Sequence, residues 1–550
     1  MTPVTAICAL IAIFYVIRIL RRRSSSTLDN IPGPPPTSFI TGNLTEYHDA
    51  DGWDFQQKLE QDYGRIVRFQ GLLGARVLFV FDPTAMQSIL VKDQNIYEES
   101  KETLTMNSLL FGPCILSTEG EHHRKFRKTM IPAFSTANLR RMVPTFYEVV
   151  QRARDGLIQP FIRDGPQELD LNNILCRTSL ELIGQTGIGY SFDPMLPGKE
   201  RTDQYARALK GLLPAAFKLG IWLPLLPAIL KIPSRAFLRL MISVLPLPAL
   251  RETRDLVDFM AANALKLVQE RKEAIRNGTV EVKDDAKDIM SLLSVFSDIH
   301  LSSAEFHSVK GNMANEKALH LTDEELVAST SIIIFAATDT TSSSLNRLLH
   351  IIAQNPDIQD KLRAEILSYP ETMDHDTIVG LPYLDAVIRE TMRLYPPVTP
   401  AITRQAVEDT VMPLSKPVTG VDGTIMDTIK VPKGTICYVA IGASNHDKQV
   451  WGEDALEFRP ERWVNGKAES VTTKLCGVYG NTMTFIGGGR SCIGFKFSQL
   501  EMKVVLCVLL RAFKFSQPDP RIKWLKGDPI QSPHVDNEPR LPIVVERLKI

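Results

Sequence analysis

The chain has 550 residues, of which 44% are hydrophobic and 23% charged, the balance of a globular protein with a large core. Its 63 basic and 63 acidic residues cancel, so the overall charge gives no reason to expect nucleic acid as a partner. The seven cysteines include no CxxC pair and no regular spacing. This argues against a disulfide framework and a structural zinc site, and it favours a reducing compartment.

An apolar run, Val4–Leu20, begins the chain and is interrupted only by Arg18. About 20 apolar residues span a bilayer core, and the three arginines at 21–23 follow the run at once. A cleaved signal peptide, the alternative interpretation, would carry its charge before the run. We therefore predict an uncleaved single-pass membrane anchor over residues 1–23, with the rest of the chain in the cytoplasm.

A Ser- and Pro-rich segment, residues 24–45, follows the anchor. Its "IPGPPP" stretch, Ile31–Pro36, favours a stiff extended backbone, which predicts a hinge that holds the folded body at a set angle to the membrane. The next segment, Arg65–Phe81, alternates β-rich stretches around two glycines and predicts a β-hairpin.

The remainder, residues 46–550, is predicted to be one mainly α domain with a minor β part. Thr322 and Glu325 form a capping-box pattern, and the helix that they begin is predicted to continue for roughly 30 residues to Asn355. The other predicted elements are a helix at Leu384–Leu394 and strands at Thr435–Ile441 and Leu541–Leu548.

The segment Leu212–Leu250 is apolar but contains six prolines, so it cannot be one spanning helix. Two interpretations remain open. The segment either forms buried core helices or is a surface that dips into the bilayer, and Trp222 with two lysines slightly favours the second.

The stretch Met483–Glu501 gathers glycines, an arginine and a cysteine in one loop. A phosphate-binding loop would need G-x-G-x-x-G or a Gly-Lys-Ser/Thr sequence, and neither is present. Two explanations remain, a tight turn with a buried thiol and a metal ligand. Cys492 precedes a predicted helix whose N–H groups could stabilise a thiolate. Gly487–Gly489 permit tight turns and would leave room for a bulky planar group, and Arg490 offers a positive charge to it.

The spacing of this loop matches F-x-x-G-x-R-x-C-x-G at Phe485, Gly488, Arg490, Cys492 and Gly494. The chain thereby resembles the cytochrome P-450 family of haem-thiolate monooxygenases, and further motifs in the family's order extend the resemblance over most of the chain. The resemblance implies a cytochrome P-450 fold, one haem b, and Cys492 as the axial iron ligand.

The segment "FAATDTTSSS", Phe335–Ser344, lies in the middle of the long predicted helix. An acid in an apolar helix is unfavourable unless it has partners or a task. The segment is similar to the family's A/G-G-x-D/E-T-T/S, where the helix loosens to hold dioxygen and water. Asp339 and Thr340 would then relay protons at the distal haem face. Ala337 stands where the family usually has glycine.

"ETMR" and "FRPERW" contain Glu390, Arg393 and Arg462. An i, i+3 pair is often only a surface ion pair. The resemblance instead implies a buried network of these three residues that supports the fold and the haem pocket.

The resemblance assigns the haem propionates to His123, Arg127, Arg404 and Arg490. His123 occupies a position where many members carry tryptophan. Arg124, Lys125, Arg127 and Lys128 have two further interpretations: a solvated basic face, or a docking surface for an acidic electron donor.

The implied activity is insertion of one oxygen atom from O2 into an apolar organic substrate, either a secondary-metabolite terpenoid or a xenobiotic aromatic or steroid-like compound. The chain contains no flavin or nicotinamide motif, so NADPH electrons are expected from a separate NADPH–cytochrome P-450 reductase, with cytochrome b5 as a second donor. The implied location is the cytosolic face of the endoplasmic reticulum membrane, as in the fungal microsomal members. The segments expected to frame the substrate are Asn107–Thr118, Leu212–Leu250, Ile332–Thr340, Pro397–Ile402 and Ser532–His534.

Three alternatives share parts of this pattern. A haem-thiolate isomerase or dehydratase needs no reductase, and a non-enzymatic haem-binding membrane protein needs no proton relay. The intact pair of Asp339 and Thr340 argues against both. The predicted membrane anchor argues against the third, a peroxide-driven peroxygenase.

Overall fold

The computed structural model describes residues 26–196, 235–244, 247–277, 321–398, 402–464, 473–526 and 530–548, with isolated positions between 208 and 218, at 289, 290 and 293, and at 471. Within these residues, no helix is both long enough and apolar enough to cross a membrane. The predicted anchor and most of Leu212–Leu250 lie outside the described residues.

Most of the described chain is α-helical, and single 3-10 and π turns connect several helices. The α-helices are α1 Leu44–Tyr47, α2 Trp53–Asp62, α3 Pro83–Gln87, α4 Lys101–Phe111, α5 Gly120–Met130, α6 Thr136–Ala153, α7 Leu171–Ile183, α8 Arg235–Val244, α9 Pro248–Arg276, α10 Asp323–Gln354, α11 Pro356–Leu367, α12 His375–Val379, α13 Pro382–Leu394, α14 Ile441–His446, α15 Lys448–Trp451, α16 Glu461–Val464 and α17 Phe495–Ala512.

The β part is small and forms several sheets. The strands are β1 Ile66–Gln70, β2 Arg76–Val80, β3 Tyr97–Glu98, β4 Gln167–Asp170, β5 Ile402–Ala406, β6 Thr410–Thr419, β7 Ile425–Val431, β8 Ile436–Val439, β9 Phe513–Ser516, β10 Lys523–Leu525, β11 Ser532–His534 and β12 Pro542–Arg547. The largest sheet has the order β1–β2–β8–β5–β3, in which β2 and β8 are parallel and the other neighbours antiparallel. The smaller sheets are β4–β12–β9, β10–β11 and β6–β7.

The predicted elements are confirmed with small shifts of their ends. The hairpin is β1–β2, in which Ile66 pairs with Val80, and the two predicted strands are β8 and β12. The predicted second helix is α13, which begins two residues earlier than expected, at Pro382. This start agrees with the preference of proline for the first turn of a helix.

The long helix α10 has 32 residues and runs through the centre of the molecule. Its capping box is present: the Thr322 hydroxyl accepts from the Glu325 N–H at 3.2 Å, and the Glu325 carboxylate accepts from the Thr322 N–H at 2.8 Å. The helix packs against α7, α9 and α17, and most of its side chains are buried. It is therefore the element against which the surrounding helices are arranged.

The described part of the predicted hinge lies against the folded body. Leu28 and Ile31 are buried, and Asp29 accepts two bonds of 2.9 Å from the Arg76 guanidinium. The Asn30 carbonyl accepts from the Val421 N–H at 2.8 Å, in the turn between β6 and β7. The chain is thus fixed to the body within a few residues of the predicted anchor.

Candidate functional site

The loop that carries Cys492 is closed by its own backbone. The Cys492 N–H donates to the Phe485 carbonyl at 3.0 Å, and α17 begins three residues after the cysteine, as predicted. The intervening Ile486 is buried and has φ 45°. This left-handed conformation is strained for a β-branched residue, so the loop is held in a shape that the chain would not adopt locally.

Cys492 is accessible, although protein surrounds its thiol closely enough to desolvate it. The thiol therefore opens onto an internal space. Burial raises its pKa, while a hydrogen bond from the Gly494 N–H and the charge of Arg127 oppose the rise. A protonated thiol is consequently favoured until a positive charge larger than that of Arg127, such as a metal ion, is added.

The glycines of the loop have a packing role. A Cβ on Gly487 would lie 1.9 Å from the Cys476 carbonyl oxygen, and one on Gly488, which has φ +74°, would lie 1.8 Å from the Leu90 carbonyl oxygen. A Cβ on Gly489 would meet the Gln94 amide. Neighbouring segments therefore fill the space that a side chain would need at these three positions, and the room for a planar group on the other side of the loop stays a prediction. At Gly494, by contrast, the nearest atom would be in ordinary contact at 3.8 Å.

The middle of α10 also opens onto an interior space. Ala336 is exposed and Ala337, Asp339 and Thr340 are half-buried in a helix whose neighbouring turns are buried. Residues 336, 337 and 340 share one face of a helix. Ala337 packs against the same buried cluster as Ile493, the residue after Cys492.

The helix does not loosen in this segment, contrary to the expectation from the resemblance. It is a continuous α-helix from Asp323 to Gln354. The Thr340 hydroxyl donates to the Ala336 carbonyl at 2.6 Å and the Thr338 hydroxyl to the Ile334 carbonyl at 2.8 Å. Such bonds satisfy the hydroxyl hydrogens within the helix and leave the oxygen lone pairs of Thr340 available.

The four predicted propionate ligands lie around one cavity of about 290 Å³. The Arg404 Nη1 donates to Glu99 at 2.5 Å, and the Arg490 Nη2 donates to Glu98 at 3.2 Å and to the Thr118 carbonyl at 2.9 Å. The residues that line it include His123, Arg124, Arg127, Arg404 and Arg490.

The charge of this cavity suits an anionic group. Burial, together with the positive charges of Arg490, Arg127, Arg404 and Arg124, lowers the pKa of His123 to about 4. The imidazole is therefore neutral at pH 7 and can donate one N–H. Arg404 and Arg490 are already paired with Glu99 and Glu98, and Arg124 is paired with Glu121. Arg127 instead bonds neutral groups of Ser491, so an anionic group in the cavity would balance its positive charge.

Arg127 is already engaged in this structure. Its Nη1 donates to the Ser491 carbonyl at 2.6 Å and its Nη2 to the Ser491 hydroxyl at 2.8 Å. The residue thereby ties α5 to the loop directly before Cys492. The structure thus places Arg127 beside the thiol, with its guanidinium bonded to the protein.

The basic face of α5 divides into two parts. Lys125 donates to Glu325 at 2.9 Å, and the His122 ring lies 2.6 Å from the same carboxylate. These residues connect α5 to the start of α10, whereas Arg124 and Lys128 are exposed. Only the second part remains available as a solvated or docking surface.

Glu390, Arg393 and Arg462 are in contact and buried. The Arg393 guanidinium donates two bonds of 2.9 Å to the Glu390 carboxylate, and the Arg462 Nε donates to it at 3.3 Å. Burial opposes ionisation of Glu390, but Arg393, the Arg459 N–H and the Trp463 indole together lower its pKa below the usual value.

Two members of this network were not predicted from the sequence. The Trp463 Nε1 donates to Glu390 at 2.9 Å, and the Asp454 carboxylate accepts from the Arg462 Nη1 at 3.0 Å. Trp463 directly follows Arg462 in "FRPERW", which was an available signal. Asp454 has no comparable signal, because only the fold brings it to Arg462.

Comparisons with known proteins agree with the geometry. The family model of cytochrome P-450 matches residues 32–529. Cytochrome P-450 monooxygenase 91 of Postia placenta is 44% identical over 548 residues, which cover 98% of this chain and 97% of the relative. Cytochrome P-450 monooxygenase 81 of the same fungus is 44% identical over 93% of this chain and 92% of the relative. Ganoderic acid synthetase of Ganoderma lucidum is 37% identical over 95% of this chain and 94% of the relative.

Replacement of Glu390 by Ala should lower the free energy of unfolding by about 3–5 kcal/mol, because the Arg393 guanidinium would stay buried without its counter-ion and Arg462 would keep only Asp454. Urea denaturation measures the change. Glu461→Ala is the matched control, since Glu461 contacts Lys361 at 3.1 Å on the exposed surface and its loss should change stability by about 1 kcal/mol or less. Equal effects of the two substitutions would contradict the structural role of Glu390.

Proposed function

Because the chain belongs to the cytochrome P-450 family, whose members are monooxygenases with a cysteine-ligated haem, we propose that it inserts one oxygen atom of O2 into an apolar organic substrate with Cys492 as the axial ligand of haem b. One observation carries the proposal: Cys492 opens onto an internal space, and so does the α10 face that carries Thr340.

Haem, when bound, supplies the activation of O2. The residues of the chain would hold the group and move protons around it. Arg404, Arg490 and neutral His123 would bind the two carboxylates, and Arg127 would hold Ser491 and hence the loop before Cys492. The Thr340 oxygen already gives its hydrogen to the Ala336 carbonyl, so it can accept a hydrogen bond from water in the interior space. Asp339 would supply protons to that water.

An apolar substrate agrees with the segments expected to frame it. Leu109 and Leu116 are 42% and 43% exposed in the segment Asn107–Thr118, so this segment offers accessible apolar side chains. Most of Leu212–Leu250 and residues 399–401 lie outside the described residues. We therefore propose the substrate only by class, a secondary-metabolite terpenoid or a xenobiotic aromatic or steroid-like compound. The 37% identity to a ganoderic acid synthetase supports the first.

Electrons are proposed to come from NADPH through a separate NADPH–cytochrome P-450 reductase, with cytochrome b5 as a second donor. The exposed part of the α5 basic face, Arg124 and Lys128, offers positive charge to an acidic protein of this kind.

Replacement of Cys492 by Ser should abolish the red-shifted Soret band that carbon monoxide produces in a reduced thiolate-ligated haem protein, because a hydroxyl cannot replace the thiolate. The absorption spectrum measures the band. Cys476→Ser is the control and should leave the band intact. Cys476 is half-buried and packs against the same loop at Gly487. A histidine-type Soret band in the wild-type protein would refute the assignment of Cys492.

Replacement of Thr340 by Ala should leave haem binding and the carbon monoxide band intact while NADPH oxidation yields hydrogen peroxide instead of product. The reason is that the substitution removes the oxygen that positions the proton-donating water. Peroxide formed per NADPH, measured with reductase and a turned-over substrate, tests this. Thr338→Ala is the matched control. The Thr338 hydroxyl makes the same kind of hydrogen bond to the preceding turn, but Thr338 is buried. If the two variants give the same peroxide yield, the relay does not include Thr340.

We also propose that residues 1–23 anchor the protein in the endoplasmic reticulum membrane with the folded body on the cytosolic side. The chain is attached to the body at Thr27, whose hydroxyl donates to the Lys430 carbonyl at 3.1 Å. Since only residues 24–26 separate Thr27 from the predicted anchor, the body would lie close to the bilayer. Phe39 and Ile40, 72% and 53% exposed, would be suitable to contact it.

Deletion of residues 1–23 should move the expressed protein from the membrane pellet to the supernatant after an alkaline carbonate wash, because the deletion removes the only proposed spanning segment. The full-length Phe39→Asn/Ile40→Asn variant should remain in the pellet, since it keeps the anchor and changes only exposed side chains. A truncated protein that still resists the wash would show that residues 1–23 are not the anchor.

A further inference from the structure

Gln531 connects three separate segments of the chain. Its side-chain Oε1 accepts from the Arg347 Nη2 at 2.9 Å, and its Nε2 donates to the Pro396 carbonyl at 2.8 Å. Its backbone N–H donates to the Pro397 carbonyl at 2.9 Å, and its backbone carbonyl accepts from the Ser343 hydroxyl at 2.7 Å. The residue is 3% exposed, so both ends of its amide and both of its backbone groups are bonded inside the protein.

Glutamine suits this position because the proline turn lacks donors and the arginine lacks an acceptor. Pro396 and Pro397 have no N–H, so the turn after α13 can be held only through its carbonyl oxygens, which need donors. Arg347 has donors and no acceptor. Its guanidinium lies over the rings of Trp524 at 3.4 Å and Tyr395 at 4.4 Å. A buried primary amide offers one acceptor to the arginine and one donor to the proline turn on separate atoms, without bringing a charge into the interior.

The bonded groups of α10 lie on the face that carries Thr340. Positions 340, 343 and 347 follow the i, i+3, i+7 spacing of one helix face. At about 1.5 Å of rise per residue, Ser343 lies about 5 Å and Arg347 about 10 Å along the helix from Thr340. Gln531 is therefore attached to the turns directly after the part of α10 that opens onto the interior space.

The two other segments that meet at Gln531 are the turn after α13 and the C-terminal turn that leads into β11. A backbone bridge between Val398 and Ile530 extends the contact beyond Gln531. Both segments belong to the regions expected to frame the substrate. A change in their spacing from α10 would change the width of that space without touching Cys492 or the basic cavity.

We propose that Gln531 is a specificity-determining positioning residue, which fixes the turn at Pro396–Val398 and the segment that leads from Ile530 into β11 at a set distance from the Thr340 face of α10. The inference rests on the proposed function, since it takes these turns to be walls of the substrate pocket.

The haem-loaded protein allows a test that needs no substrate. Clotrimazole is bulky and imidazole small, and both bind haem iron and shift the Soret band. Gln531→Met keeps the side-chain length but removes both amide bonds. We expect the dissociation constant of clotrimazole to rise about tenfold, because the walls lose their preorganised spacing, while that of imidazole changes by less than about twofold.

Gln359→Met is the matched control. Gln359 is 1% exposed, its Oε1 accepts from the Arg363 Nη2 at 2.8 Å, and its Nε2 donates to the Phe515 carbonyl at 2.8 Å. It thus has the same kinds of partners as Gln531 but joins α11 to β9. Both substitutions should lower Tm by a similar amount, and only Gln531→Met should weaken clotrimazole binding.

An unchanged clotrimazole constant in Gln531→Met, or an equal rise in Gln359→Met, would overturn the positioning role and leave the proposed function standing. A wild-type protein that shows no Soret shift with either azole would overturn the proposed haem site and this inference together.

Discussion

The neutralisation of buried charge at Glu390 is the interaction on which the site depends. The wholly buried Glu390 carboxylate pairs with Arg393 and, together with Asp454, with Arg462, and Arg393 also donates to the Asn445 carbonyl at 2.8 Å. The Asn445 side chain in turn accepts from the Met483 N–H at 2.7 Å, at the start of the loop that leads to Cys492. Because unpaired charges are so unfavourable in a core, these segments can take only the arrangement that pairs them. The position of the cysteine is therefore determined by an ion network that does no chemistry itself.

Helix α5 links the two sides of the interior space. At one point Arg127 bonds the residue before Cys492, and at another Lys125 bonds Glu325 in the first turn of α10. The same helix contributes His123 to the basic cavity. A single rigid element therefore relates the cysteine loop, the start of the long helix and the anion-binding groups. Relative movement among these three parts would have to break charge-assisted bonds, which are the stronger hydrogen bonds in proteins.

The sequence predicted the features that depend on neighbouring residues. The capping box of α10, the β1–β2 hairpin and the helix after Cys492 each follow from local spacing, and the family pattern indicated which arginines would meet around one cavity. It did not predict the partners that only the fold supplies. Glu98 and Glu99 lie next to each other in sequence, yet their contacts with Arg490 and Arg404 span about 300 residues or more. The packing role of the loop glycines was missed for the same reason, because the Leu90 carbonyl that excludes a Cβ on Gly488 comes from a segment about 400 residues earlier in the chain.

One haem would satisfy the electrostatic requirements of both Cys492 and the basic cavity. Burial disfavours the thiolate, and burial together with the positive charge of the surrounding arginines disfavours protonation of His123. A group with a metal ion at its centre and two carboxylates at its edge would relieve both conditions at once, since the metal would stabilise the thiolate and the carboxylates would balance the guanidinium groups. A metal ion alone would leave the guanidinium groups unbalanced, and carboxylates alone would leave the thiolate unfavourable. The fold is thus suited to a ligand of mixed charge rather than to a free metal ion or a simple anion, and metal ligation at Cys492 must release the thiol proton.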